Sequence, residues 1–149
     1  MWYVIQIMTG KEEMMREMIT RNLPSKMYED CFYIRRERIW RLNGEKVCHV
    51  ETMFPGYLFV TTEDPEALYW KLREIPGLTK LLRTEESQFL SVSPEEQDFL
   101  EDLIDKDEEK IVRLSEVTLD EEKKILSAKG PLRKYVKQIV KKKIRLCYV

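Results

Sequence analysis

The chain has 149 residues, 43% of them hydrophobic and 36% charged, with a formal net charge of −1. That length suits one domain of ordinary size, or one domain plus a fragment of a second, and the near-zero charge excludes a strongly basic nucleic-acid binder. The distribution says more: over residues 85–122 acidic side chains outnumber basic ones by about five to one, whereas residues 123–145 carry roughly ten basic side chains and no acid. A bipolar chain of this kind suits nucleic acid on one side and protein on the other. No segment approaches the apolar length of a membrane span, and the chain opens directly on a strand pattern, so no signal peptide is expected. Cys31, Cys48 and Cys147 are odd in number and widely spaced, without a metal-ligand pattern; they read as free thiols in a reduced, cytoplasmic setting.

Residues 2–8 (WYVIQIM) predict a strand that is apolar on both faces and therefore central. Thr9 and Glu12 then read as a T-x-x-E capping box, opening a helix whose inward stripe is Met14, Met15, Met18, Ile19 and Leu23 and which stops before Pro24. Residues 28–42 and 45–50 flank Asn43-Gly44, the signal for a type I′ hairpin. Pairing Leu42 with Glu45 sets Ile39 opposite Cys48, Arg38 opposite His49 and Arg36 opposite Glu51. One face of the hairpin then carries Arg36, Arg38, Trp40, Val47 and His49, the other Arg35, Ile39, Arg41, Lys46 and Cys48. Neither face is cleanly apolar, so the tip is expected to project beyond the sheet.

Residues 57–61 give a second strongly apolar strand. Asp64 caps a helix with Pro65 at its first position and Leu68, Leu72 and Ile75 as its buried stripe. Residues 75–83 end that helix and return as a strand, and Ser93-Pro94-Glu95-Glu96 opens a third helix with Phe99, Leu100, Leu103 and Ile104 facing inward. The order β-α-β-β-β-α-β-α makes an α+β fold, a mainly antiparallel sheet with helices packed on it. Charged residues 105–110 suit a linker. Residues 111–117, 124–128, 135–140 and 144–149 then read as short strands of a small all-β module, with Gly130-Pro131 as a turn.

Catalysis finds little support in the residue set. His49 is the one histidine, there is no activated Ser or Cys, and the five glycines are scattered turn residues rather than a phosphate loop. No enzyme, cofactor or metal is expected. Two stretches invite partners instead. In Phe54-Pro55-Gly56-Tyr57-Leu58-Phe59-Val60, Leu58 and Val60 suffice to anchor a strand, which leaves Tyr57 and Phe59 on the other face with Phe54 at the rim. Those rings either lie under a helix or wall an apolar groove, where aromatics make binding hot spots. The hairpin cations Arg35, Arg36, Arg38, Arg41 and Lys46, interleaved with Trp40 and His49, suit phosphate contact and base stacking. A solvated hairpin with cross-strand ion pairs such as Arg36–Glu51 is the other open reading.

Trp2-Tyr3-Val4-Ile5-Gln6, Gly10, Phe54-Pro55-Gly56-Tyr57-Leu58-Phe59-Val60 and Ile75-Pro76-Gly77-Leu78, in this order and spacing, resemble the N-terminal (NGN) domain of the NusG family. Residues 8–13 (MTGKEE) with Cys31-Phe32 look most like its LoaP subgroup of bacterial antiterminators. The resemblance implies an NGN domain over residues 1–106, a linker over 107–117 and a KOW-like module over 118–149. From Ala128 onward the chain is similar to the start of a KOW motif, but Lys137 stands where the motif carries glycine and the closing strands are not in the sequence, so an incomplete module is expected. The same resemblance implies a monomeric elongation or antitermination factor without catalysis, bound to the clamp helices of bacterial RNA polymerase through Phe54, Tyr57 and Phe59, with Trp2 behind them. It implies that Arg35, Arg36, Arg38, Arg41 and Lys46, with the loop of Thr79, Lys80 and Arg83, approach the non-template DNA strand or a nascent RNA hairpin. Two alternatives stand beside it: a stand-alone RNA-binding protein acting through the arginines, and a scaffold that self-associates through the aromatic groove.

Overall fold

The computed structural model describes residues 1–76, 80–81, 89–104, 109–139, 141–143 and 146–148, the strands at 80–81, 141–143 and 146–148 by their backbone. Strand β1 (Trp2–Gln6) leads to helix α1 (Glu12–Asn22), a 3-10 turn (Ser25–Met27) and β2 (Asp30–Phe32). Strands β3 (Arg35–Leu42), β4 (Glu45–Thr52) and β5 (Tyr57–Thr61) precede α2 (Pro65–Leu72), β6 (Lys80–Leu81) and α3 (Pro94–Leu103). Beyond them lie β7 (Ile111–Val112), β8 (Glu116–Leu119), β9 (Ile125–Lys129), a 3-10 helix (Pro131–Gln138), β10 (Lys141–Lys143) and β11 (Leu146–Tyr148).

The main sheet has the order β2-β5-β1-β6 and is antiparallel throughout. β1 lies inside it, as a strand apolar on both faces requires. Side chains alternate between two cores. Ile5, Leu58, Val60 and Cys31 point to one side, where Met15 and Ile19 of α1, Leu23 just after it, and Leu68, Leu72 and Ile75 of the α2 region cover them. Trp2, Phe32, Ile34 and Phe59 point to the other, against Leu100 of α3 and Ile104 just after it. The α+β class read from the sequence is the observed one.

Local signals acted as their chemistry dictates. Asp64 accepts the Ala67 amide at 2.9 Å with Pro65 at the first helical position. Ser93 and Glu96 form a reciprocal capping box. Asn43 (φ 50°) and Gly44 (φ 84°) build the left-handed turn that sets the β3–β4 register from Leu42↔Glu45 to Arg35↔Thr52.

Five expectations need correction. Thr9 does not cap α1: Lys11 occupies that position without a side-chain bond, because the Glu12 carboxylate is drawn to the amides of Gly10 (3.1 Å) and Gly56 (2.7 Å). Met14, expected in the inward stripe of α1, is 46% exposed. Residues 28–42 are not one strand but β2, paired with β5, followed by β3, paired with β4. Residues 135–138 are not strand but the end of a 3-10 helix, held on α3 where Tyr135 packs on the Phe99 ring and its hydroxyl donates to Asp102 at 2.7 Å. In the segment read as a linker, β7 lies parallel to β3 (Arg35↔Ile111, Arg36↔Val112) and Ile111 is buried.

Candidate functional site: an aromatic face and an arginine hairpin

The turn at residues 53–56 delivers the first set of side chains. Gly56 sits at φ 86°, donates its amide to Glu12 and accepts the Ile7 amide at 2.9 Å, so the turn is tied both to α1 and to the chain leaving β1. A Cβ at this position would stand 2.9 Å from the Thr9 hydroxyl oxygen and 3.4 Å from the Ile7 carbonyl. Phe54, two residues before the glycine, and Tyr57, directly after it, are both half-buried. Phe59 and Trp2, by contrast, are each 6% exposed.

The rings form one array. Phe32 stacks on Phe59 (5.7 Å) and meets Trp2 edge-on (4.9 Å), while Phe54 meets Phe59 edge-on (5.8 Å). Leu100 and Ile104 join the same cluster, with Met53, Val92 and Phe99 at its margin. Of Phe54, Tyr57 and Phe59, expected to line a groove, Phe54 and Tyr57 retain surface, while Phe59 is buried together with Trp2, which was expected behind them. Phe32, at the centre of the array, is the residue the sequence reading missed in this role. Its signal was the apolar Cys31-Phe32 pair, whose two side chains must face opposite cores.

The hairpin carries the second set. On one face Glu51 collects three groups. Its Oε1 accepts from Arg36 Nε (2.9 Å), Arg36 Nη2 (2.7 Å) and Arg38 Nη1 (3.1 Å), and Oε2 lies 3.2 Å from His49 Nε2. These bonds, Arg36 foremost, hold the Glu51 carboxyl down to about 2 against the opposing effect of desolvation. The Arg38 guanidinium lies over the Trp40 ring (5.3 Å), and His49 meets that ring edge-on (4.9 Å). Trp40 is nonetheless 52% exposed.

On the other face, Arg41 and Lys46 are exposed cross-strand neighbours. Like charges in that position repel and favour an anion between them. Arg35 turns away from both: it donates to the Glu109 carbonyl (3.0 Å), lies over the Tyr33 ring (5.9 Å) and borders a cleft of about 490 Å³ shared with Arg16 and Lys110. Lys80 belongs to β6, described by its backbone, and Thr79 and Arg83 lie outside the described residues. Among the described residues no cluster of metal-ligating side chains is gathered, and no helix is long and apolar enough to cross a membrane.

The family model described as "Transcription termination factor nusG" matches residues 1–101, from β1 into α3. The chain belongs to the NusG family. No curated protein matches the chain significantly. NusG proteins are transcription factors rather than enzymes, and both the aromatic face and the arginine hairpin lie on the part of the chain that defines the family.

Proposed function

We propose that the protein is a LoaP-type elongation or antitermination factor that binds the clamp helices of bacterial RNA polymerase and works in the cytoplasm as a monomer. The NusG match over residues 1–101 is the observation that carries this reading. Phe54 and Tyr57 are the contact residues, with Phe59 and Trp2 as the floor that fixes them. Burying the exposed half of either ring against apolar helices contributes roughly half of the 1.5–3 kcal/mol that full burial of such a side chain supplies. The hairpin cations Arg35, Arg36, Arg38, Arg41 and Lys46, with Thr79, Lys80 and Arg83, approach non-template DNA or a nascent RNA hairpin. Binding one polymerase conformation better than another shifts the enzyme toward it without any chemical step. Residues 118–149 serve as a KOW-like module.

The test is the affinity of the chain for an isolated clamp-helix segment. Phe54→Ala and Tyr57→Ala should each weaken it by about tenfold or more with unchanged folding. Unchanged affinity in both variants removes the polymerase reading. RNA binding without any clamp-helix affinity would favour the stand-alone RNA-binding alternative.

A further inference from the structure

Glu51 is an unusual residue to find in a nucleic-acid-binding face. Its carboxylate pairs with both Arg36 and Arg38, two of the cations such a face needs, offsets one of their two charges, and meets His49 as well. A cross-strand ion pair needs only the Arg36 partner directly opposite. Here two guanidiniums, from positions 36 and 38, and the His49 ring nitrogen converge on one anion that is still 24% exposed, beside an indole more than half exposed. Converging guanidinium and imidazole donors around a small oxyanion are also the arrangement that receives a phosphate. An exposed aromatic next to such a seat is how proteins hold an unpaired base.

We infer that Glu51 is an internal stand-in for a nucleic-acid phosphate, and that single-stranded nucleic acid places a phosphate at Arg36, Arg38 and His49 while stacking a base on Trp40. The inference rests on the nucleic-acid reading of the hairpin and adds its ligand class. In the unbound protein the carboxylate keeps both guanidiniums in position, so little side-chain freedom is lost on binding. Partly exposed ion pairs are weak, and a phosphate displaces this one at small cost. Meanwhile the carboxylate lowers the indiscriminate affinity of the face for any polyanion. The preference for an unpaired strand comes from Trp40, since a duplex has no free base to lay on it.

The experiment titrates the full chain with RNA and DNA single strands of about 12 nucleotides and with the corresponding duplex, across a range of salt. Glu51→Gln keeps the shape and removes the charge. It should tighten binding of both single strands and duplex by about 3- to 10-fold and steepen the salt dependence, since each freed guanidinium adds roughly 0.7–0.9 to the slope. Arg36→Gln/Glu51→Gln should return affinity and slope toward the wild type. Trp40→Ala should weaken single-strand binding roughly 5- to 100-fold and leave the duplex nearly unchanged. Comparing the RNA and DNA arms tells whether the 2′-hydroxyl contributes.

Unchanged or weaker binding by Glu51→Gln, with thermal stability preserved, overturns the inference and leaves an ordinary ion pair. Equal losses on single strand and duplex in Trp40→Ala overturn the base-stacking half. Failure of the wild type and of Glu51→Gln to bind any of the oligonucleotides overturns the nucleic-acid reading itself, a result distinct from binding that ignores Glu51.

Discussion

The carboxylate of Glu12 accepts the amide of Gly56 at 2.7 Å, joining the first turn of α1 to the turn that presents Phe54 and Tyr57. Burial opposes the charge on Glu12, but the amides of Gly56, Glu12 itself and Gly10 outweigh it and set its pKa below the ordinary carboxyl value. Glu12→Ala strands two amides and should cost about 1–3 kcal/mol in denaturant unfolding at neutral pH. Because the folded-state pKa is depressed, this contribution is complete above the unfolded carboxyl range and fades as pH falls through the lowered value. The stability difference between the wild type and Glu12→Gln should therefore shrink in an acid titration.

Gly56→Ala tests the same turn from its other side. The left-handed backbone and the 2.9 Å approach to Thr9 Oγ1 both oppose a methyl group. A loss of about 1–3 kcal/mol is expected in thermal or denaturant unfolding. Adding Thr9→Ala should recover part of it, since that removes the crowding and leaves the φ strain.

The hairpin has its own acid response. With Glu51 held down to about 2, its bonds to Arg36, Arg38 and His49 are complete above the ordinary carboxyl value of 4.5 and are lost as pH falls through about 2. Amide shifts of β3 and β4 should follow that transition. In Glu51→Gln the amides of Arg36 and Arg38 should lose that transition, leaving the separate response of Glu37, which its bonds to Leu114 and Arg113 also hold low.

The thiols should separate by reactivity. Burial first, then the neighbouring Asp30 charge, pushes the Cys31 thiol up to about 12, whereas Cys48 is exposed on the hairpin. In a Cys147→Ser background a maleimide should label Cys48 in the native protein and reach Cys31 only on unfolding. Native labelling of Cys31 at a comparable rate would contradict the packing of β2 on α1.

What the sequence made legible was local. Asn43-Gly44 determined the hairpin register to the residue, and Asp64-Pro65 and Ser93-Pro94 marked two helix starts, because turn and cap chemistry is complete within four residues. Alternation in residues 57–61 assigned Leu58 and Val60 to one core and Phe59 to the other face. Thr9 and Glu12 misled because the decisive partner, Gly56, lies 44 residues on in the chain. That Phe59 lies beneath Leu100 and Ile104 depends on where α3 docks, which no pattern around Phe59 encodes. Tyr135 likewise left its expected strand for a partner, Asp102, 33 residues before it. The Arg36–Glu51 pair followed from register, whereas the recruitment of Arg38 and His49 to the same oxygens required side-chain geometry.

Along β3 the support changes from end to end. Arg35 and Arg36 are laced to β7 as well as to β4, whereas the rungs from Glu37 to Leu42 have β4 as their paired strand, and Ile39, Trp40 and Leu42 meet solvent. A ribbon held chiefly by its own rungs unzips from the tip at far lower free energy than the body it grows from. The rungs beyond Trp40, outside the Glu51 cluster and the Glu37 bonds to Arg113 and Leu114, can thus fray and reclose while the turn pinned by Glu12 stays put. One arm searches while the other surface waits in a fixed shape.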